Sequence, residues 1–460
     1  MEMKPTDKQG APIPGARAAL ALLLFINLFN YIDRQVLAAV VGPIKKTFFS
    51  GNGVIGSTSL AAATDWFQNR LGFKPEDALL GLLGTAFMVI YMVGAPVFAR
   101  LAERKSRWGI VALGVILWSL ASGASGLAGT FLILLLTRCC VGIGEAAYGP
   151  VAPAMISDLF PIQSRGRVLA WFYVAIPVGS ALGYVLGGLV GNSGIGGWSA
   201  RSFGTAGESW RWAFFLVTLP GLVLGFWSLF MRDPHRAKSG LGQGRKAASV
   251  PWRQYRILLR TPSYVLCTLG MTAMTFAIGG IGFWMPYYLE SRPGAPPNST
   301  IVFGAITAMA GLSATLLGGF AGDKLRSRYP GSYFLVSGSA MIIGFPIFLC
   351  ALHAPFPWAV WVLIFLACFC LFFNTGPTNT ILANVTHPSI RAVGFALNIF
   401  VMHALGDVIS PVVIGLLNDW YGDMNESFIV VGLAFLAAGI FWMIGARYLE
   451  RDTEAAASSL

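Results

Sequence analysis

Four charged residues stand inside long apolar stretches of this sequence. Asp33 and Arg34 interrupt the first apolar run, and Arg138 and Glu145 interrupt a later one. A charge removed from water is costly unless it is paired or faces a polar cavity, so such residues mark an internal ion pair or a binding site. Arginine can hold an anion. A carboxyl group whose neutral form is favoured by burial and whose charged form is favoured by arginine can bind and release a proton.

The spacing of these residues predicts which of them meet. Arg138 and Glu145 are seven residues apart, so they share one face of a helix, with Glu145 about 10 Å further along its axis. Counted from the ends of their runs, Asp33 and Arg138 lie at similar depth, and we predict a contact between them. Gly142 and Gly144 allow a neighbouring helix to approach closely. We therefore expect Asp33 or Glu145 to take up a proton. We expect the same carboxyl group to exchange partnership with Arg138 as it does so.

The spacing does not decide which way Arg34 points or whether these charges bind a substrate. Arg34 points about 100° away from Asp33 on a helix, so either residue could line a cavity while the other points to the outer surface. We count Arg34 and Arg138 together as candidate substrate-binding cations. The alternative to a binding site is a permanent ion pair that locks two helices together.

The second half of the sequence offers weaker candidates. His403 and Asp407 are four residues apart, which allows a hydrogen bond on one helix face. The segment 374–380 reads NTGPTNT, and its glycine and proline interrupt a helix beside polar side chains. We expect substrate contacts from a polar and aromatic set, and a gating role for Asp407. The substrate set comprises Phe276, Trp284, Asn374, Thr375, Asn379 and His403. A packed histidine, a packing kink and an interfacial aromatic belt are the alternatives.

Composition excludes most protein classes. Of 460 residues, 55% are hydrophobic and 11% are charged, whereas a soluble domain carries about 25% charged residues. Soluble enzymes, disordered chains and disulfide scaffolds are therefore excluded. The six cysteines lie in apolar runs without metal-ligand spacing, so we expect no metal site and no cofactor. His403 and Asp407 are one residue short of an H-x4-D acyltransferase spacing, and we expect no enzyme.

Twelve apolar segments are long enough to cross about 30 Å of hydrocarbon as helices. The sequence thus predicts an all-α polytopic membrane protein with twelve transmembrane helices. The predicted spans are 18–42, 78–100, 108–128, 130–156, 168–191, 211–231, 262–289, 300–321, 332–352, 358–385, 392–418 and 427–447.

The distribution of basic residues predicts the orientation. With the N-terminus inside, the cytoplasmic tails and loops carry 23 Lys and Arg and the opposite side carries 7. Because Lys and Arg stay on the cytoplasmic side, we expect both termini there. The net charge of +12 then reflects topology. Basic residues interleaved with aromatics on one polar face are missing, so we expect no nucleic-acid partner.

An internal repeat divides the chain. FARLAERKSR at 98–107 corresponds to GGFAGDKLRSR at 318–328, and SRGRVLA at 164–170 corresponds to SIRAVGFA at 389–396. We predict a six-helix bundle over 1–231, a cytoplasmic linker over 232–261 with an amphipathic helix at 252–259, and a second bundle over 262–460. Residues 44–77 form a long outer loop whose role the pattern does not predict.

These segments resemble a known family. The 98–107 loop resembles the loop signature of the major facilitator superfamily, with Glu103 in place of Asp, and the second copy keeps Gly319 and Asp323. Four segments are similar to the Spinster lipid transporters: NYIDR at 30–34, RCCVGIGEAAYGPVAPAMISDLFP at 138–161, WMPYYL at 284–289 and HALGDVISP at 403–411. The resemblance implies the major facilitator fold and a secondary carrier of lysophospholipids or sphingolipid-like amphiphiles, driven by protons through alternating access.

Four charged residues lie in or beside the predicted cytoplasmic loops. We expect Glu103, Arg104, Arg107 and Asp323 to form cytoplasmic ion pairs that hold the halves closed in one state, or merely to set topology. A proton-coupled carrier of small organic anions and a non-transporting receptor are the alternative functions. Two inward cations and abundant Phe and Leu favour a lipid. We expect a monomer in the cell membrane whose partners are an amphiphilic substrate, protons and the bilayer.

Overall fold

The computed structural model describes residues 15–49, 58–160, 162–191, 208–232, 252–293, 295–296, 298–387 and 390–458. Over these residues the backbone forms helices joined by short connections, without a strand. In chain order the helices are α1 (Ala16–Ala39), α2 (Val41–Phe49), α3 (Thr58–Leu71), α4 (Glu76–Arg104), α5 (Arg107–Gly126), α6 (Phe131–Tyr148), α7 (Val151–Leu159), α8 (Ile162–Gly191), α9 (Trp210–Leu229), α10 (Trp252–Arg260), α11 (Pro262–Ser291), α12 (Ser299–Arg326), α13 (Ser332–His353), α14 (Pro357–Phe373), α15 (Thr375–Val385), α16 (Arg391–Met402), a π-helix (His403–Asp407), α17 (Ser410–Tyr421), α18 (Met424–Gly445) and α19 (Leu449–Ser458).

Twelve helical segments of the described chain are long and apolar enough to cross a membrane. Each overlaps one predicted span, with ends that agree to within five residues, so the predicted all-α protein with twelve transmembrane helices is confirmed. Three spans consist of consecutive helices: Phe131–Leu159, Pro357–Val385 and Val393–Tyr421.

Capping and glycine contacts set the positions of α5 and α6. The side chains of Ser106 and Thr130 each accept a hydrogen bond from the backbone N–H three residues further on. This bond satisfies a donor that has no partner within the first helical turn. At Gly144 a Cβ atom would lie 2.6 Å from the backbone nitrogen of Trp118, so only glycine permits this approach of α5 to α6. The predicted close approach at Gly144 is confirmed.

The structure refines three local predictions. The segment 44–77 is largely helical, because it contains most of α2 and all of α3. The amphipathic helix predicted at 252–259 is present as α10, with Leu258 buried and Arg256 and Arg260 exposed. The break predicted at Gly376 and Pro377 occurs earlier, at Asn374, since a proline is tolerated in the first turn of a helix such as α15.

The helices pack in two compact units. The first comprises Met1–Leu37 and Ala86–Lys246, and the second comprises Ala38–Thr85 and Ala247–Leu460. The boundary passes through α1 and α4, so each of these helices contributes to both units. The division into bundles over 1–231 and 262–460, inferred from the sequence repeat, stays a prediction.

Candidate functional site

An ion pair between α1 and α6 lies inside the first unit. Arg34 donates from Nε to Oε2 of Glu145 at 2.7 Å, and a terminal nitrogen of Arg34 lies 2.6 Å from the same oxygen. The Glu145 side chain is fully buried, whereas that of Arg34 is 17% exposed. Arg34 is therefore the direct partner of Glu145. The expected exchange of Arg138 between partners stays a prediction.

Three aromatic rings surround the Arg34 guanidinium. Its central carbon lies 5.1 Å from the ring centroids of Tyr31 and Phe87 and 5.0 Å from that of Tyr91. A guanidinium within about 6 Å of a ring face is attracted by the ring's quadrupole. Arg34 is thus held by a carboxylate and by three rings.

Asp33 and Arg138 lie beside this pair and are both buried, with 2% exposure each. Asp33 accepts a hydrogen bond from the Ser122 hydroxyl, and Arg138 donates to the Ser125 hydroxyl at 2.8 Å. No hydrogen bond or ion pair within 4 Å joins Asp33 to Arg138 in the described part of the chain. Their predicted contact is wrong, although the two charges remain within Coulombic range of each other.

Asp33 and Arg138 do not bond to each other because both bond to serines of α5. Their similar depth in the membrane did not indicate this third helix. Ser122 and Ser125 are three residues apart and occupy one face of α5, so their hydroxyls reach α1 and α6 together. One oxygen of Asp33, Oδ2, and one nitrogen of Arg138, Nε, have no hydrogen-bond partner among the described residues. The serine spacing on a predicted helix was the only sequence signal for this contact.

A second polar pair lies in the second unit. His403 Nδ1 is 2.9 Å from Asp407, which confirms the predicted bond between them. The five residues from His403 to Asp407 form the π-helix, within which Gly406 leaves helical geometry with φ −104° and ψ −106°. A Cβ atom on Gly406 would lie 3.1 Å from the carbonyl oxygen of Thr272 on α11. Such π-helical turns are frequent at functional sites.

The polar candidates of α14 and α15 bond mainly to their own helices. Asn374 is buried and donates to the Leu371 carbonyl at 2.6 Å, while the exposed Asn379 donates to the Thr375 carbonyl at 2.8 Å. Thr375 is exposed and donates to the Phe372 carbonyl at 2.8 Å.

Of the two aromatic candidates on α11, Phe276 is half-buried and Trp284 is fully buried. The indole N–H of Trp284 donates to the Pro411 carbonyl at 2.8 Å, which places this side chain in the packing between α11 and α17. Substrate contacts from these aromatic residues, and from the amide and hydroxyl groups of α14 and α15, stay predictions.

The predicted cytoplasmic gating residues form local bonds. Arg107 pairs with Asp158 of α7 at 2.5 Å, and Asp323 accepts from the Tyr333 hydroxyl at 2.7 Å. Arg104 is exposed. The Glu103 side chain lies outside what the structure describes. Their gating role stays a prediction.

Four further residues, which we call the Asp77 cluster, meet in the second unit: Lys45, Asp77, Asn418 and Asp419. Asp77 accepts from Lys45 at 2.6 Å and from the Asn418 side chain at 2.5 Å. The Asp419 carboxylate accepts from the backbone N–H groups of Asp77 at 3.0 Å and Ala78 at 2.8 Å, which caps the N-terminus of α4. The pKa of Lys45 is raised, since burial acts to lower it but the adjacent Asp77 carboxylate outweighs that effect.

The first turns of α4 pack on α17 and α11 beside this cluster. The Thr85 hydroxyl donates to the Val408 carbonyl at 2.5 Å. A Cβ atom on Gly81 would lie 2.6 Å from the carbonyl carbon of Pro411, and one on Gly84 would lie 3.3 Å from the Phe283 ring. The sequence did not predict these contacts, because their residues come from segments about 200 to 330 positions apart.

The sequence of this chain is similar to those of known membrane transporters. A family model, the Major Facilitator Superfamily, matches residues 23–409. The sphingosine-1-phosphate transporter SPNS2 of Danio rerio is 31% identical over 463 residues, which cover 92% of this chain and 84% of that protein. Protein spinster homolog 1 of Homo sapiens is 34% identical over 88% of this chain and 74% of its own length. Protein spinster of Drosophila melanogaster is 32% identical, and the match spans 61% of its length.

The fold also matches a solved structure. A crystal structure of a bacterial homolog to the human lysosomal transporter Spinster, in an inward-facing and unoccupied conformation, is similar with a TM-score of 0.80 at 22% identity. The match covers 96% of this chain and 99% of that one. The predicted major facilitator fold is therefore confirmed.

Proposed function

Because the chain belongs to the Spinster family of the major facilitator superfamily, we propose that it carries lysophospholipids or sphingolipid-like amphiphiles by proton-coupled alternating access. The chain is a multi-pass membrane transporter. The observation that carries the proposal is the cluster of Asp33, Arg34, Arg138 and Glu145 in one unit, in which every member but the partly exposed Arg34 is buried. We place both termini in the cytoplasm, from the distribution of Lys and Arg, and propose that the protein acts as a monomer.

Charge balance supports the coupling of protons to an anionic head group. Two arginines and two carboxylates make the site neutral when all four groups are ionised. An anionic head group would add uncompensated negative charge to a buried site, which is costly in a medium of low polarity. A proton on one carboxyl group restores the balance. Binding of the head group and binding of a proton therefore favour each other.

The surroundings of the two carboxyl groups support different roles. The direct hydrogen-bond donor to Asp33 is a neutral serine hydroxyl, whereas the donor to Glu145 is the charged Arg34. One oxygen of each carboxyl group, Oδ2 of Asp33 and Oε1 of Glu145, has no partner among the described residues. Burial with a neutral partner favours the protonated form, so we assign proton uptake to Asp33. Glu145 is bonded directly to Arg34, so it leaves Arg34 when the head group binds there.

Alternating access gives the Asp77 cluster a role. In this mechanism the two six-helix halves separate on one side of the membrane at a time. The Asp77 cluster joins α2 and α4 to α17, so opening between residues 45–85 and 408–419 must break its bonds. We assign this cluster to the outer gate. His403 and Asp407 on the adjacent π-helix are placed to respond when α17 moves.

Reconstitution into liposomes tests the proposed function. Labelled lysophospholipids, sphingosine-1-phosphate and a panel of sugar acids and organic phosphates are offered with and without an imposed pH gradient. We expect uptake of the amphiphiles, accelerated by a gradient that drives protons in the same direction. Uptake of the small anions alone would replace the proposal with the small-anion carrier. Uptake that ignores the gradient would remove the proton step.

A further inference from the structure

Arg34 is held by contacts beyond its carboxylate partner. We infer that Tyr31, Phe87 and Tyr91 are positioning residues that keep the Arg34 guanidinium in place for an anionic head group after Glu145 has released it. The inference rests on the proposed function, because it specifies how the same site binds its substrate. We call these three residues the ring cage.

The ring cage is built from two helices. Tyr31 precedes Arg34 by three residues on α1, so its ring lies on the same helix face. Phe87 and Tyr91 are one turn apart on α4, with ring centroids 6.4 Å apart and an interplanar angle of 25°. All three centroids are 5.0 to 5.1 Å from the central guanidinium carbon. The cation therefore keeps these attractive contacts whether or not Glu145 is ionised.

Two close glycine contacts set the positions of the Tyr91 ring and of the α4 backbone at Phe87. A Cβ atom on Gly149 would lie 3.1 Å from the Tyr91 ring, and one on Gly142 would lie 3.3 Å from the Phe87 carbonyl carbon. A side chain at Gly142 of α6 would push α4 away, and one at Gly149, which directly follows α6, would push the Tyr91 ring away. The absence of side chains at these glycines thus lets both the rings and Glu145 lie close to Arg34.

The guanidinium also has hydrogen-bonding capacity left for a ligand. Both of its bonds to Glu145 end on one oxygen, Oε2, whereas a guanidinium has five N–H donors. Arg34 is the partly exposed member of the pair, and Glu145 is fully buried. An incoming phosphate therefore meets the arginine first. Arg138 differs, because its guanidinium has one ring contact, to Phe214 at 5.1 Å, and is itself buried.

Removal of single rings tests the inference. Phe87→Leu and Tyr91→Leu each remove a ring, Tyr91→Phe keeps it, and Phe98→Leu removes a half-buried ring of the same helix that makes no cation–π contact with Arg34. The probe is labelled lysophosphatidic acid, taken up by proteoliposomes. We expect the two ring-removing variants to raise KM about tenfold, with the maximal rate within about twofold of wild type. Tyr91→Phe and Phe98→Leu should leave KM within about twofold.

A double-mutant cycle separates positioning from general packing. In an Arg34→Met background, Tyr91→Leu should cause no further change in the dissociation constant of lysophosphatidic acid beyond about twofold. An equal loss with and without Arg34 would overturn the inference, because the ring would then act on the lipid or on the fold.

A second cycle needs no ligand. The midpoint of thermal unfolding should show that Arg34 and Tyr91 are coupled, so additive effects on unfolding would also overturn the ring cage. If wild type neither binds nor transports the probe, the proposed lipid function fails, while the unfolding cycle still decides on the cage.

Discussion

Arg34 on α1 and Glu145 on α6 are 111 residues apart in sequence and form a direct ion pair of 2.6 Å inside the first unit. The pair joins a partly exposed cation to a fully buried carboxylate. An anion that approaches Arg34 therefore competes with Glu145, and the proton that we assign to Asp33 offsets the negative charge that the anion adds.

Glu145→Gln should remove the negative charge that competes with the head group for Arg34. The amide keeps the shape of the side chain but removes its charge, and the ring cage still holds Arg34. We expect tighter equilibrium binding of lysophosphatidic acid, by about threefold to tenfold, together with a loss of gradient-driven uptake. Isothermal titration in detergent and uptake by proteoliposomes measure the two effects. Weaker binding would mean that Glu145 contacts the substrate directly.

Lys45→Met should weaken the outer gate. The substitution removes the charged partner of Asp77 while keeping much of the side-chain volume, and the exposed neighbour Lys46→Met is the matched control. We expect a cysteine in place of Thr85, which adds no Cβ atom to this contact, to react faster with a water-soluble maleimide in Lys45→Met than in Lys46→Met. Equal rates in the two backgrounds would remove Lys45 from the gate.

The effect of Lys45→Met should not change between pH 8 and pH 9. The pKa of Lys45 is raised above its ordinary value of 10.5. A raised lysine pKa contributes stability that is fully present below the unfolded-state pKa and is lost only as the pH rises through the folded-state pKa. Thermal unfolding of wild type and variant across this range checks the prediction. A difference that disappears below pH 9 would contradict it.

Asp419→Ala should destabilise the N-terminus of α4. Its carboxylate accepts from two backbone N–H groups, and loss of such a cap costs about 0.5–2 kcal/mol. The exposed Glu426→Gln is the control. We expect a lower midpoint of thermal unfolding for Asp419→Ala and an unchanged one for the control. An unchanged midpoint in both would show that another group caps α4.

Gly144→Ala should disturb the contact of α5 with α6 and so displace Glu145. The new Cβ atom would lie 2.6 Å from the Trp118 backbone nitrogen, whereas Gly319→Ala, also in a helix, has no neighbour within 4 Å. We expect Gly144→Ala to lower the thermal midpoint and the uptake rate, and Gly319→Ala to keep both. Wild-type behaviour of Gly144→Ala would mean that the helices can separate without functional cost.

The sequence predicted the helices well and the partners of the charged residues less well, for physical reasons. Span lengths follow from the thickness of the hydrocarbon layer, so counting apolar residues located all twelve. Depth along a helix matched Asp33 with Arg138, and both side chains are buried in the first unit. Depth does not give direction around the helix axis, however, and one residue changes that direction by about 100°. The true partners therefore differed from those predicted.

The Asp77 cluster could not have been predicted from the sequence. Asp77 and Asn418 are 341 residues apart, and each stands near the end of an apolar run, where polar residues are ordinary. Their contact depends on how α4 packs on α17, which the glycines at 81 and 84 permit but do not specify. The ring cage was also missed, because Phe87 and Tyr91 are typical of any apolar helix.

Gradient-dependent uptake by Asp33→Asn tests the central claim most directly. Wild type, Asp33→Asn and the matched control Ser122→Ala, which removes only the hydrogen bond to Asp33, are reconstituted and given labelled lysophosphatidic acid with and without a pH gradient. We expect the gradient to accelerate uptake by wild type and Ser122→Ala but not by Asp33→Asn, which should still exchange lipid across the membrane without it. Full gradient acceleration in Asp33→Asn would contradict the claim that proton and head group are coupled at this site.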